Sequence, residues 1–257
     1  MTDHLKTQFR VLYALIRREM TTRYGRSAGG YLWAVVEPMA FIAVLSVVFS
    51  EMSSVPPLGL DFPLFFATGY LGFSVYRTMA EVTSTAVKVN LTLLTYPKVT
   101  PLDTVLARAA LQFVTNIVVC VLILGFILLR SRDSLHLDLL AVSGAFIGAS
   151  VFGAGVGLVN ITLFAHFPTW ERIYNVINRP LFLISGVFFV PELLPTNLRE
   201  LALYNPLLHF VSWFRSGFYP TYDASYVNYA FIGWSSIILL WLGVLFLERN
   251  RYRFLEL

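Results

Sequence analysis

The chain has 257 residues, 57% of them hydrophobic and 13% charged, with a mean hydropathy of +0.68. A soluble domain carries about 25% charged residues, so this composition excludes one and predicts an integral membrane protein forming a single helical bundle. The net charge of +4 does not point to nucleic acid, because the basic residues are dispersed to the ends of apolar segments, where topology signals belong.

Residues 1–28 open the chain as an interfacial element. Leu5, Phe9, Leu12, Ile16 and Met20 recur at helical spacing while Arg10, Arg17 and Arg18 lie off that stripe, which predicts an amphipathic helix too polar to span a membrane. Two readings stand for it, a plain membrane-surface anchor and a cytoplasmic collar that docks a partner. The segment lacks the compact apolar core and small-residue cleavage site of a secretory signal.

A transmembrane domain is expected over 29–248, with spans at about 31–50, 62–80, 104–129, 139–167, 176–194 and 224–247, and a short cytoplasmic tail over 249–257. Span one contains Glu37 immediately before Pro38. An ionisable group inside a span is costly and faces protein or water; proton carriage and a pore-lining or hydrogen-bonding role are the alternatives, and an isolated acid favours the second. Between spans two and three, NLTLLTYPKVTP (90–101) places Leu91, Leu93, Leu94 and Tyr96 in a proline-rimmed link; it suits either docking of another protein or interfacial membrane contact. Span three holds the single cysteine, Cys120, which leaves no partner for an internal disulfide. Span four carries the pairs Gly144/Gly148 and Gly153/Gly157, spacings that let helices approach closely.

The stretch 178–223 contains two uncharged runs, 180–191 and 201–214, each shorter than the about 20 residues a crossing needs. Basic residues resolve its topology. They crowd the N-terminal segment, the links after spans two and four, and the tail, whereas the opposite side has Arg130, Arg132, Arg199 and Arg215. Both termini are therefore expected in the cytoplasm, the number of spans is even, and residues 199–217 form a broken or re-entrant segment near the outer face of span five. The alternative is an ordinary span followed by an apolar outer loop. Aromatic residues are 16% of the chain and abundant in this outer segment. Some belong to an interfacial belt, and others could face a pore, where flat aromatic faces suit sugar surfaces; the resemblance given below makes Tyr204, Trp213 and Tyr219, with Trp33 and Glu37, candidates to line such a path.

No phosphate-binding loop, H-E-x-x-H, paired cysteines or G-x-S-x-G occurs, and the four histidines are scattered. No metal site or catalytic residue is expected. A membrane-embedded transferase would need clustered intramembrane histidines or acids, which are missing.

The opening RREMTTRYGRSAGGYLWAVVEPMAFIAVLSVVFS resembles the start of type-2 ABC exporter permeases that move polysaccharides, with Arg23, Tyr24, Trp33 and Pro38 at matching positions. The block NRPLFLISGVFFVPELLP…YNPLLHFVSWFRSGFYP is similar to the capsular polysaccharide branch, at Arg179, Pro180, Ser185, Gly186, Pro195, Asn205, Pro206 and Arg215. HFPTWERI at 166–173 departs from the Arg-Asp pair of many relatives. The resemblance implies six spans, a homodimer around a central channel, and two separate ATPase subunits that carry ATP and Mg. It implies ATPase contact by the first helix and first inner loop, which places Phe9, Leu12, Leu93, Leu94, Tyr96 and Lys98 there. Arg23, Arg26 and Arg172 are candidates, by charge and side, for a cytoplasmic mouth meeting a lipid-linked polymer. Periplasmic and outer-membrane capsule export proteins are the further partners, and the bacterial inner membrane the location. O-antigen, teichoic-acid, small-lipid and multidrug exporters of the same architecture are the alternatives.

Overall fold

The computed structural model describes residues 2–24, 29–96, 98–131 and 137–251, with the backbone alone for 2–7 and 23–24. Among them there are helices, short 3-10 turns and no strand. In chain order the helices are α1 (Thr2–Tyr24), α2 (Gly30–Met52), α3 (Phe62–Ser84), α4 (Ala86–Val89), α5 (Pro101–Leu128), α6 (Leu139–His166), α7 (Pro168–Ile184), α8 (Thr196–Ala202), α9 (Pro206–Ser216) and α10 (Tyr229–Arg249).

Several prolines start helices: Pro101, Pro168 and Pro206 occupy first-turn positions where the missing N–H costs nothing. The polar residues just before helices close their free amides. Thr100 and Asp103 form a reciprocal capping box on α5, Asp138 accepts from the amides of Leu140 and Ala141 on α6, and Asn228 accepts from Phe231 on α10.

Four helices (α2, α5, α6 and α10) are long and apolar enough to cross a membrane. The central helix, α3, is not among them. It packs on α2, α5, α6 and α9, so protein rather than lipid surrounds most of its surface, and it tolerates glycine, tyrosine, threonine and an arginine that a lipid-facing helix would not. Gly153 and Gly157 of α6 abut the backbone of α3; a Cβ on either would lie 2.5 Å from the carbonyl oxygen of Tyr76 or Cβ of Thr83 respectively. Gly144 and Gly148 receive the rings of Trp213 and Phe210 on α9, and Gly155 faces α10. The small-residue spacings of this helix thus serve three packing partners within the chain. Polar contacts also join α3 to α5: Asn116 Oδ1 accepts from Gln112 Nε2 at 2.7 Å and from Thr78 at 3.1 Å. Cys120 is buried and free.

The segment expected as a span over 176–194 is instead a helix over 168–184. Charges in its first half hide it from a search for apolar runs. At about 1.5 Å per residue its 17 residues extend about 25 Å, against about 42 Å for the 28 of α6. The expected 199–217 element is the pair α8 and α9. Asn205 donates to Ser185 Oγ at 3.1 Å at the end of α7, and α9 then runs back along the first half of α6, from the Phe210–Phe152 ring contact to Gly217, whose carbonyl accepts from the Asp138 amide at 2.9 Å. One buried cation holds this return. Arg215 Nη2 donates to the carbonyls of Val187 (2.9 Å) and Phe65 (3.4 Å), Nη1 donates to those of Phe189 (3.1 Å) and Gly186, and the guanidinium lies 4.2 Å from the Phe65 ring centre. Carbonyl dipoles thus replace water around a fully buried charge.

Candidate transport cleft

Helices α2, α3 and α7 enclose a cleft of about 1160 Å³, with Phe164 of α6 on its rim. Two of its walls, α2 and α7, each have an internal proline, Pro38 and Pro180. Each proline removes one intrahelical hydrogen bond, so these walls have locally weakened backbones.

The cleft is chemically graded. The end formed by the start of α2, the last turns of α3 and the first half of α7 gathers the charged side chains Glu37, Arg77, Glu81 and Glu171 beside the rings of Trp33, Phe164 and Tyr174, and Asn178 and Arg179 follow along α7. Toward the other end it closes in aromatic rings that meet tilted or edge to face. Phe41 lies 4.8 Å from Tyr70 and 5.8 Å from Phe182, centre to centre, and Phe182 lies 5.1 Å from Phe188. Phe188 continues the chain of rings to Phe49 and Phe66. Glu171 also reaches Lys88 Nζ across the polar end at 3.3 Å. Behind it, Trp170 Nε1 donates to the buried Asn160 Oδ1 at 3.0 Å, fixing the start of α7 to α6.

Of the candidate channel residues, Trp33 and Glu37 line this cleft together. The other three lie elsewhere. Trp213 fits the notch at Gly144 and meets Tyr229 at 4.9 Å; Tyr219 is buried in the main apolar core; Tyr204 is 79% exposed before α9. Arg172 is exposed on α7 and does not line the cleft. Arg26 and the side chain of Arg23 lie outside the described residues. Among the candidate docking residues, Phe9, Tyr96 and Lys98 are exposed and Leu12 and Leu93 half-buried. Leu94 is turned inward, packed with Ala86, Val87, Val105, Leu158 and Leu247.

Sequence reasoning missed Phe41, Tyr70, Arg77, Glu81 and most of α7. A signal was present: Glu171, Tyr174, Asn178 and Phe182 recur at three to four residues, one face of a helix. It went unread because charged residues interrupted the search for spans.

Four helices long and apolar enough to cross a membrane, with a cleft opening among α2, α3 and α7, define a multi-pass membrane protein. The chain belongs to the ABC-2 type transporter family, which it matches over residues 10–219. It is similar to the capsule polysaccharide export inner-membrane protein CtrC of Neisseria meningitidis serogroup A, at 30% identity over 96% of this chain and 93% of CtrC. It is 28% identical to the corresponding protein BexB of Haemophilus influenzae, over 95% of this chain and 92% of BexB. It is 27% identical to the polysialic acid transport protein KpsM of Escherichia coli, over 90% of each. It is a transport subunit, not an enzyme.

Proposed function

We propose that this chain is the membrane subunit of an ATP-driven exporter that moves capsular or related cell-surface polysaccharide across a bacterial inner membrane. The observation that carries the reading is the cleft between the two proline-bearing helices, with charged side chains gathered at one end and the other closed by aromatic rings. Family membership and the printed functions of the relatives support it. In this reading α3 and α7 join the four apolar helices to make six crossings, α8 and α9 dip back from the outer face, and both termini are cytoplasmic. The polar end of the cleft then faces the cytoplasm and the aromatic rings close the outer side. Two copies place their clefts around a shared path, and two ATPase subunits carrying ATP and Mg bind beneath, at α1 and around Tyr96 and Lys98. Arg23, Arg26 and Arg172 are the candidate cations for a lipid-linked anionic end of the polymer. Periplasmic and outer-membrane export proteins continue the path. Trp33 and Glu37 are assigned to the path, and Trp213 and Tyr219 to packing.

Chromosomal deletion complemented with wild-type or Glu37→Gln chain tests this. Deletion should remove surface polysaccharide and leave polymer inside the cell, wild type should restore it, and Glu37→Gln should lower export at unchanged permease level. Normal surface polysaccharide in the deletion strain, or a phenotype limited to sensitivity to apolar drugs, would reject the polysaccharide reading.

A further inference from the structure

The last turns of α1 are held by polar contacts to α5 and to the residue that ends α4. Glu19 Oε1 lies 2.8 Å from Arg108 Nε on α5, and both side chains are less than a tenth exposed. Arg108 Nη1 also donates to Thr85 Oγ1 at 3.2 Å. One residue earlier, Arg18 Nη1 donates to Asn90 Oδ1 at 2.7 Å, and Asn90 Nδ2 donates to the Ala86 carbonyl at 3.0 Å. Thr85 and Asn90 are the two residues that bracket α4. Arg18 therefore holds the C-terminal end of α4 directly, while Glu19 is tied to its N-terminal end through the Arg108 guanidinium, which belongs to α5. The rest of the α1 face toward the protein is apolar and half-buried, at Val11, Leu12, Leu15 and Ile16. Apolar packing of that kind is non-directional and tolerates sliding. A buried ion pair adds little net stability but can fix register, because breaking it leaves an uncompensated charge.

We propose that Glu19 and Arg108, backed by Arg18 and Asn90, are positioning residues that make α1, α4 and the inner end of α5 a single body. A displacement imposed on the exposed Tyr96 and Lys98, which follow α4 after the 3-10 turn Leu91–Leu93, then moves α1 and α5 together instead of sliding one past another. Lys88, inside α4, also reaches Glu171 at the polar end of the cleft, so the same body touches a cleft wall. The inference rests on the ATP-driven reading above.

The test uses the whole transporter, permease with its ATPase subunits, carrying Glu19→Gln, Arg108→Gln, the exchange Glu19→Arg with Arg108→Glu, or the half-exposed Arg18→Ala. Permease level, co-purified ATPase, ATP turnover and surface polysaccharide are measured together. The expected result for Glu19→Gln is level, ATPase recovery and ATP turnover within about twofold of wild type with export down at least about tenfold, and recovery of export in the exchange variant, since paired changes report the coupling itself. Arg18→Ala should uncouple in the same direction, less strongly. Export that falls only in proportion to permease level, or that stays at the wild-type value in Glu19→Gln, would overturn the proposal. If the single variants disappear from the membrane, the exchange decides: level and export both restored support the joint, and level restored without export, or no recovery, refutes it. A wild-type permease that retains no ATPase would count instead against the transport reading on which the joint rests.

Discussion

Replacing Gly69 by alanine tests whether Arg215 is the clasp of the outer segment. A Cβ on Gly69 would sit 2.4 Å from Nη2 of Arg215 and 3.0 Å from the Val187 carbonyl oxygen. Ordinary contact requires 3.4 Å or more, so the guanidinium must withdraw by about 1 Å or the 186–190 loop must move. Withdrawal takes Nη2 out of range of Val187, now at 2.9 Å, and of Phe65, already at 3.4 Å. Two hydrogen bonds from a charged donor are worth about 1.5–3 kcal/mol each. Against that, alanine gains up to about 1 kcal/mol over glycine in a helix interior, which leaves a net loss of about 2–5 kcal/mol. The same substitution at Gly125, whose Cβ would meet nothing within 4 Å, carries only the gain. Equilibrium unfolding of the purified permease in mixed micelles, followed by far-ultraviolet circular dichroism, should therefore show Gly69→Ala destabilised and Gly125→Ala unchanged or slightly stabilised. Equal behaviour of the two variants would refute the clasp.

Three further outcomes follow from the same contacts. Gly157→Ala places a Cβ 2.7 Å from the Ala80 carbonyl and 2.5 Å from Thr83 Cβ; separating α3 from α6 should cost about 1–3 kcal/mol in the same unfolding measurement, and no loss would mean the two helices are not in rigid contact. Trp170→Phe keeps an aromatic ring but loses the pyrrole half of the indole with the N–H donated to buried Asn160, so stability should fall by about 1–3 kcal/mol, with Trp170→His tested for partial recovery of the hydrogen-bond share. Lys88→Ala, by contrast, breaks a pair whose side chains are 70% and 39% exposed and should change stability by less than about 1 kcal/mol; a larger loss would show that the pair is shielded from solvent by a partner.

The membrane class, the amphipathic opening and the apolar helices could be read without the structure, because each depends on local composition and periodicity over about 20 residues. The uncharged run 201–214 and Pro206 likewise foreshadow α9 (Pro206–Ser216), whereas the run 180–191 straddles the end of α7 and the loop after it. The partners of those pieces could not be read that way. Arg215 read as an outer-side topology signal and is a buried cation held by carbonyls from a loop and from α3. Trp213 and Tyr219 read as aromatic candidates for a path, yet one fills a glycine notch and the other the core. The cleft itself draws on residues of α2, α3 and α7 separated by more than a hundred positions. Periodicity records which face of a helix is apolar or polar, and only the packing of α2, α3 and α7 against one another decides whether a polar face meets lipid, solvent or another polar face.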